Sequence, residues 1–366
     1  MPNLRTLWTG SLLMGFALMS MMQNAPIRAV ELEASFTQVG FLMGFIRNFP
    51  YVLLSVFTAA VLLRMRWSLL LPSSAIFMTV SSLLMWLADN LDTVFLSQLL
   101  MGVAMFLFFP CGESIVANSY PKNERLRAFS LFLSAVSMGF LIGSLASGAL
   151  ASILGLQNQF LISAAVSSAA APVLAKANPA NPEIIISRNK HSLKSFEPII
   201  YAAPYFIVLA SAYAVLPGYL VREGLTELDV GVLFFLLVGA RVLTSYVLSR
   251  LEPARVKLLL SILSILTTLW AIVLIYLPPS AAAYAILMIP VGATVSIAYV
   301  YTLYRVSGGE SASSVFLIGI FEALIGICFL VGPVVAGFLA DLYGFYAVLL
   351  FFSLSMLIGA FLAQKS

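Results

Sequence analysis

Residues 177–197 read ANPANPEIIISRNKHSLKSFE. Glu183, Arg188, Lys190, His191, Lys194 and Glu197 fall in this stretch, with Pro179 and Pro182 near its start. Outside it the 366 residues are nearly unbroken apolar sequence. Hydrophobic residues make up 61% and charged ones 9%, and the mean hydropathy is +1.04. A soluble domain carries about 25% charge. This chain has too little polar surface to face water all round, so the bilayer is read as its solvent. Only helices and closed barrels satisfy their backbone there. The apolar runs are continuous for about 20 residues, the length of a spanning helix, whereas barrel strands alternate in polarity over about ten. The expected class is therefore all-α and polytopic.

Outward from the central stretch, the runs predict six spans on each side. On the first side they are 7–29, 36–63, 67–87, 93–117, 128–153 and 157–175. On the second they are 198–221, 229–249, 256–277, 281–304, 312–339 and 343–363. Arg5 followed by an apolar run has the look of a signal peptide, but the run is longer than a typical signal core and lacks a convincing small-x-small cleavage site, so it is read as a retained first span. The division is an N-terminal six-helix bundle (1–176), a cytoplasmic loop (177–197) and a C-terminal bundle (198–366). Of the 19 Lys and Arg, only Arg28 and Arg222 fall in outer loops, and Arg47 and Arg241 lie within spans. The remainder cluster on one side, among them Arg64, Arg66, Arg255 and Lys257. That bias places both termini in the cytoplasm.

The two bundles repeat. Val39-Gly40 matches Val230-Gly231, and Arg64-x-Arg66 matches Arg255-x-Lys257, each 191 residues on. Gly102 matches Gly292 at 190, and Gly143 with Gly148 matches Gly332 with Gly337 at 189. Two further positions bear on packing: Gly139 forms a small-xxx-small pair with Gly143, and Pro333 follows Gly332. Such glycines let spans approach closely. An even number of spans per repeat makes the halves parallel.

The basic residues lie in short clusters between apolar runs, so the net charge of +4 does not point to nucleic acid. Cys111 and Cys328 lie inside apolar runs and read as buried thiols. No Ser/His/Asp set, metal cluster or phosphate loop is present, so neither an enzyme nor a cofactor is expected. The methionines of span 1 show no repeated metal-ligand spacing.

These features resemble the major facilitator superfamily. The residues that carry the resemblance are Pro110, then Pro121 with Arg125 and Arg127, then Gly139, Gly143 and Gly148. Gly332-Pro333, Gly337, Asp341 and Gly344 look like the same signature repeated. The loop between spans 2 and 3 departs from the family pattern: it keeps Arg64 and Arg66 but lacks the usual Gly and Asp. The resemblance implies that span 5 faces span 8, that span 2 faces span 11, and that the halves rock at these contacts. It also implies a cavity lined by spans 1, 4, 7 and 10. Those spans supply Gln23 and Asn24; Gln98, Met101 and Met105; Tyr205 and Tyr213; and Met288, Tyr299 and Tyr301. The set is soft and aromatic, which suits a lipophilic or amphipathic substrate, cationic if Glu113 faces it.

Four charges lie within spans: Arg47, Glu113, Arg241 and Glu322. Each costs at least about 2.5–3.5 kcal/mol on insertion scales, so partners are expected. Arg47 lies roughly 16 Å and Glu322 roughly 25 Å from the same side, a gap of roughly 9 Å that long side chains could close. Glu113, in Pro110-Cys111-Gly112-Glu113, or Glu322 is the candidate proton-coupling carboxylate, with Arg47 or Arg241 as alternating partner. The alternative for these four is a static ion pair. The expected function is secondary active transport by alternating access in the plasma membrane, as a proton-coupled efflux antiporter for a small organic or drug-like molecule, acting as a monomer in lipid. The alternative is an uptake permease for a sugar or organic anion, with Arg47 and Arg241 as anion contacts. A non-transporting membrane sensor is the reading from another class.

Overall fold

The computed structural model describes residues 4–58, 61, 64–119, 122–177, 197–248, 253–307 and 311–365. Among them it is all helix. The first half holds α1 (Leu4–Glu31), α2 in three segments (Phe36–Gly40, the π-helical Phe41–Ile46, and Arg47–Val56), α3 (Trp67–Leu87), α4 (Leu91–Ser119), α5 (Lys122–Leu154) and α6 (Leu156–Ala175). The second half holds α7 (Glu197–Arg222), α8 (Glu227–Leu248), α9 (Pro253–Leu274), α10 (Ala281–Ser307), α11 (Ser311–Tyr343) and α12 (Phe345–Lys365). The central stretch predicted as a tether lies, from 178 to 196, outside the described residues.

Ten of these helices are long and apolar enough to cross a membrane by length and composition. The two that differ from the expectation of twelve are α1 and α2. Helix α1 is 28 residues long, but Gln23, Asn24 and Arg28 dilute its apolar run. The expected span 36–63 is not one rod. Pro50 gives no N–H to the Ile46 carbonyl and crowds it, and the backbone just before it runs in π register over Phe41–Ile46. The helix ends at Val56, with Phe57 in a turn.

Within the first half, α1 packs on α5 and α6, and α3 on α4 and α6; within the second, α7 packs on α11, and α9 on α10 and α12. Buried hydroxyls stitch neighbours together: Ser81 Oγ donates to the Ser97 carbonyl at 2.8 Å, and Thr268 Oγ1 to the Ser353 carbonyl at 3.3 Å. The halves meet along α5–α8 and α2–α11.

Those two seams are built alike from equivalent residues. Ser35 and Gln38 form a capping box at the start of α2, with Ser35 N donating to Gln38 Oε1 at 2.9 Å. At the start of α8, Thr226 N donates to Asp229 Oδ2 at 2.9 Å and Asp229 N to Thr226 Oγ1 at 3.1 Å. Each box satisfies donors that a helix start leaves open. The end of the facing helix completes the cap. Asp341 of α11 accepts from Phe36 N at 3.0 Å and Thr37 N at 2.7 Å. Ser152 of α5 accepts from Leu228 N at 3.1 Å. The turns leading into these helices also match: Glu33 has φ 63° and Gly224 φ 93°.

The glycines sort by seam. A Cβ on Gly148 would meet the Glu227 carbonyl and Gly231 of α8, and one on Gly337 would meet the Phe36 carbonyl of α2. Pro333 packs on Gly40 and Gly44 of α2. Gly139 and Gly143 instead face Leu12, Phe16 and Met19 of α1, and Gly332 faces Ile207 and Ser211 of α7. These three therefore pack inside a half and do not lie on the seams where rocking was expected. Gly148→Val and Gly337→Val each overpack a backbone contact between halves, at a cost of about 1–3 kcal/mol. Both should lower the thermal unfolding midpoint in detergent. An unchanged midpoint in either would show that the close approach is not needed.

Candidate functional site

Helix α2 carries three polar side chains in five residues at the centre of the molecule. Asn48 Nδ2 donates to the carbonyls of Met43 at 3.1 Å, Gly44 at 2.8 Å and Phe329 at 3.1 Å. It thereby fills acceptors of the π segment and ties α2 to α11. Arg47, beside it, is 0% exposed. One turn further on, Tyr51 is also buried.

Tyr51 Oη donates to Glu322 Oε2 at 3.1 Å, and Tyr299 Oη reaches Glu322 Oε1 at 3.4 Å. Glu322 belongs to α11 and Tyr299 to α10, so one carboxylate joins three helices from both halves. Glu113 of α4 lies within electrostatic reach of Glu322 and of both tyrosines. An aromatic wall closes the second-half side. Phe206 meets Tyr299 at 6.2 Å and Phe321 at 5.9 Å, both edge-on, and Tyr299 meets Phe321 at 5.4 Å.

The expected ion pairs do not form. Among the described residues neither Arg47 nor Arg241 comes within 4.0 Å of a carboxylate, and Arg28–Glu31 at 2.9 Å is the ion pair observed. The reason is register. The depth gap between Arg47 and Glu322 is too large, and Tyr51, about 6 Å further along the same face, reaches the carboxylate instead. Arg241 lies close enough to Tyr213 and Tyr299 for its charge to act on both, without a well-formed hydrogen bond to Tyr213.

The other cavity candidates divide into two groups. Gln23, Asn24, Gln98, Met101, Met105, Tyr213 and Met288 are all buried, and Tyr213 stacks on Phe234 of α8 at 5.1 Å and 15°. Tyr205 and Tyr301 lie elsewhere. With Tyr201, Ala202, Leu260, Ala298, Thr302 and Ala363 they line a small pocket inside the second half. Tyr205 Oη accepts from Ser264 of α9 at 3.2 Å. Of the basic loop residues, Arg64 and Arg66 are exposed, Arg255 lies in the first turn of α9, and Lys257 Nζ sits 6.0 Å over the Tyr301 ring. No group of three potential metal ligands occurs among the described residues.

Sequence reasoning missed Tyr51, although its spacing of four from Arg47 puts both on one face. It also missed the caps given by Asp341 and Ser152. The repeat spacing of 189 relates those two positions, which was the available signal.

The sequence matches the Major Facilitator Superfamily over residues 7–316, and the chain belongs to that superfamily. With ten helices long and apolar enough to cross a membrane, it is a multi-pass membrane protein of that superfamily. It is 28% identical over 168 residues to the Multidrug resistance protein MdtG of Citrobacter koseri, a match covering 45% of this chain and 41% of that protein. The MdtG protein of Klebsiella pneumoniae is 27% identical over 168 residues, covering 45% and 40%. The chain thus spans less than half the length of these curated relatives. Among solved structures, a bacterial homologue of the human lysosomal transporter Spinster in an inward-facing, occupied conformation superposes with a TM-score of 0.80 at 15% identity, over 99% of this chain and 95% of that one. A POT family transporter in complex with a thioalcohol-conjugated peptide gives 0.81 at 14%, over 99% and 95%. The nucleoside transporter NupG gives 0.75 at 15%, over 99% of each. At these identities the likeness is one of fold.

Tyr51→Phe removes the donor that crosses between the halves. A hydrogen bond to a charged group contributes about 1.5–3 kcal/mol, so thermal unfolding in detergent should show a lower midpoint, with a smaller loss for Tyr299→Phe at its longer distance. Equal midpoints for both variants and the wild type would remove Glu322 from the role of a joint.

Proposed function

We propose that this chain exports a small organic molecule across the plasma membrane in exchange for protons, by alternating access. The bundles 1–176 and 198–366 are the moving bodies, 177–197 is the cytoplasmic tether, both termini face the cytoplasm, and the working unit is a monomer. The observation that carries the reading is the Glu322 joint. A carboxylate accepts on both oxygens, whereas a carboxylic acid must donate from one. A proton arriving at Glu322 turns one accepting oxygen into a donor, so one of its two tyrosine bonds must reverse or break. The Tyr51 bond is the one that spans α2 and α11. Protonation there weakens a contact between halves, and this is how proton binding can be linked to rocking. Glu113 adds a second carboxylate within electrostatic reach of the same site.

The partial similarity to MdtG proteins supports export over uptake. Arg47 and Arg241 without carboxylate partners favour an acidic substrate over a sugar within the same transport reading.

Glu322→Gln and Glu113→Gln keep the shape and remove the titrating group. In proteoliposomes carrying an imposed pH gradient, substrate-driven proton movement should fall at least tenfold in Glu322→Gln, with a loss in Glu113→Gln as well. Unchanged proton movement in both variants would sink the coupling role.

A further inference from the structure

Buried polar side chains left without protein partners gather in one layer. Among the described residues the guanidinium of Arg47 and the side-chain amides of Gln23, Asn24 and Gln98 have no hydrogen-bond partner, and all are 0% exposed; the buried Tyr213 hydroxyl lies within reach of Arg241. Counted along their helices, they lie about 10–16 Å from the end of the bundle that holds the α1–α2 turn. Glu113, Tyr51, Tyr299 and Glu322 lie deeper, at about 22–33 Å. The two sets are separate layers, and the first is near the midplane of a bilayer core about 30 Å thick.

The packing shows how the layer is assembled. Gly102 of α4 lies directly against the Arg47 carbonyl and Pro50 of α2. Gln98, one turn before Gly102, therefore lies beside α2 on the side toward which a helical side chain at 47 leans. Gln23 Nε2 lies beside Gly231 of α8, and Tyr213 is stacked on Phe234 of α8. Helices of both halves thus border the layer.

A buried donor left unsatisfied destabilises the fold, and a charged one does so more. The group that answers these donors can be deduced. Arg47 offers five N–H donors and no acceptor, and its planar fork matches the two oxygens of a carboxylate. A cation is repelled, and a neutral molecule leaves the guanidinium charge uncompensated. Arg241, whose charge reaches Tyr213, adds a second cation at the border of the layer. Met22, Met43, Met101 and Met105, all buried, supply soft apolar surface for the rest of the ligand.

We propose that this layer seats the acidic group of the transported molecule, and that the substrate class is an amphipathic organic carboxylate. It rests on the transport reading above only for the direction and fate of the ligand. Binding itself is measured without a gradient, so failure of proton coupling and failure of this site are read separately.

The test uses two probes on one ring system: 1-naphthoate and 1-naphthamide. Thermal unfolding of the purified full chain in detergent should shift upward with 1-naphthoate, with little shift from the amide. Arg47→Gln should weaken 1-naphthoate binding at least tenfold, and Arg47→Lys, which keeps the charge and loses the fork, should fall between. Three results would each overturn the proposal: no response to 1-naphthoate, an equal response to acid and amide, or an undiminished 1-naphthoate response in Arg47→Gln. If Arg47→Gln does not fold, the comparison of acid with amide in the wild type and the Arg47→Lys response decide the matter.

Discussion

The bond from Tyr51 to Glu322 is the interaction on which the centre of this molecule depends. A carboxylate in a membrane bundle is costly unless it is hydrogen-bonded. Here the donors come from two tyrosines, Tyr51 on α2 and Tyr299 on α10. The carboxylate can be satisfied only while α2, α10 and α11 stand together. A hydroxyl joint differs from an ion pair in one respect that matters. It holds the carboxylate without a fixed positive charge beside it, so a proton can compete for the oxygen without first displacing an arginine.

The pseudo-symmetry of the chain is physical as well as sequential. The starts of α2 and α8 are satisfied by the same scheme: an internal capping box, then a side chain from the end of the facing helix. At the equivalent position one half uses Asp341, which takes two backbone donors, and the other uses Ser152, which takes one. The α2–α11 seam therefore has the stronger cap and also carries Asn48 and Tyr51. Both seams use close glycine contact, at Gly148 and Gly231 on α5–α8 and at Gly40 and Gly337 on α2–α11. The halves are built alike, and the α2–α11 seam carries the additional polar ties.

Much of this was legible in the sequence, because a bilayer allows few solutions. Continuous apolar runs, the bias of Lys and Arg, and glycines recurring at 189–191 residues give helix number, class and the superfamily. What could not be read was register. Nothing in the apolar pattern says that α2 passes through a π segment before Pro50, and that segment helps set which side chain meets Glu322. Arg47 was the expected partner because charge is conspicuous in such a chain, while Tyr51 is an ordinary residue in an aromatic-rich helix. The same limit applies to Gly139 and Gly143. A small-xxx-small pair announces close packing but not against which neighbour, and α1 lies on that side of α5.

The two layers of polar side chains share one element. Arg47 and Tyr51 sit a turn apart on α2, the first among the unpartnered amides and the second on the carboxylate. Asn48 between them fastens α2 to the Phe329 carbonyl of α11. In the proposed cycle, a ligand that draws Arg47 and a proton that releases Tyr51 therefore act on the same short helix. Coupling between sites requires an element that both bias. The Arg47–Val56 segment meets that requirement without any wire across the bundle. It is bounded by a π segment on one side and a turn at Phe57 on the other. A helix piece joined to its neighbours at two irregular ends can shift as a unit, and its displacement would be felt by the substrate layer and the proton layer together.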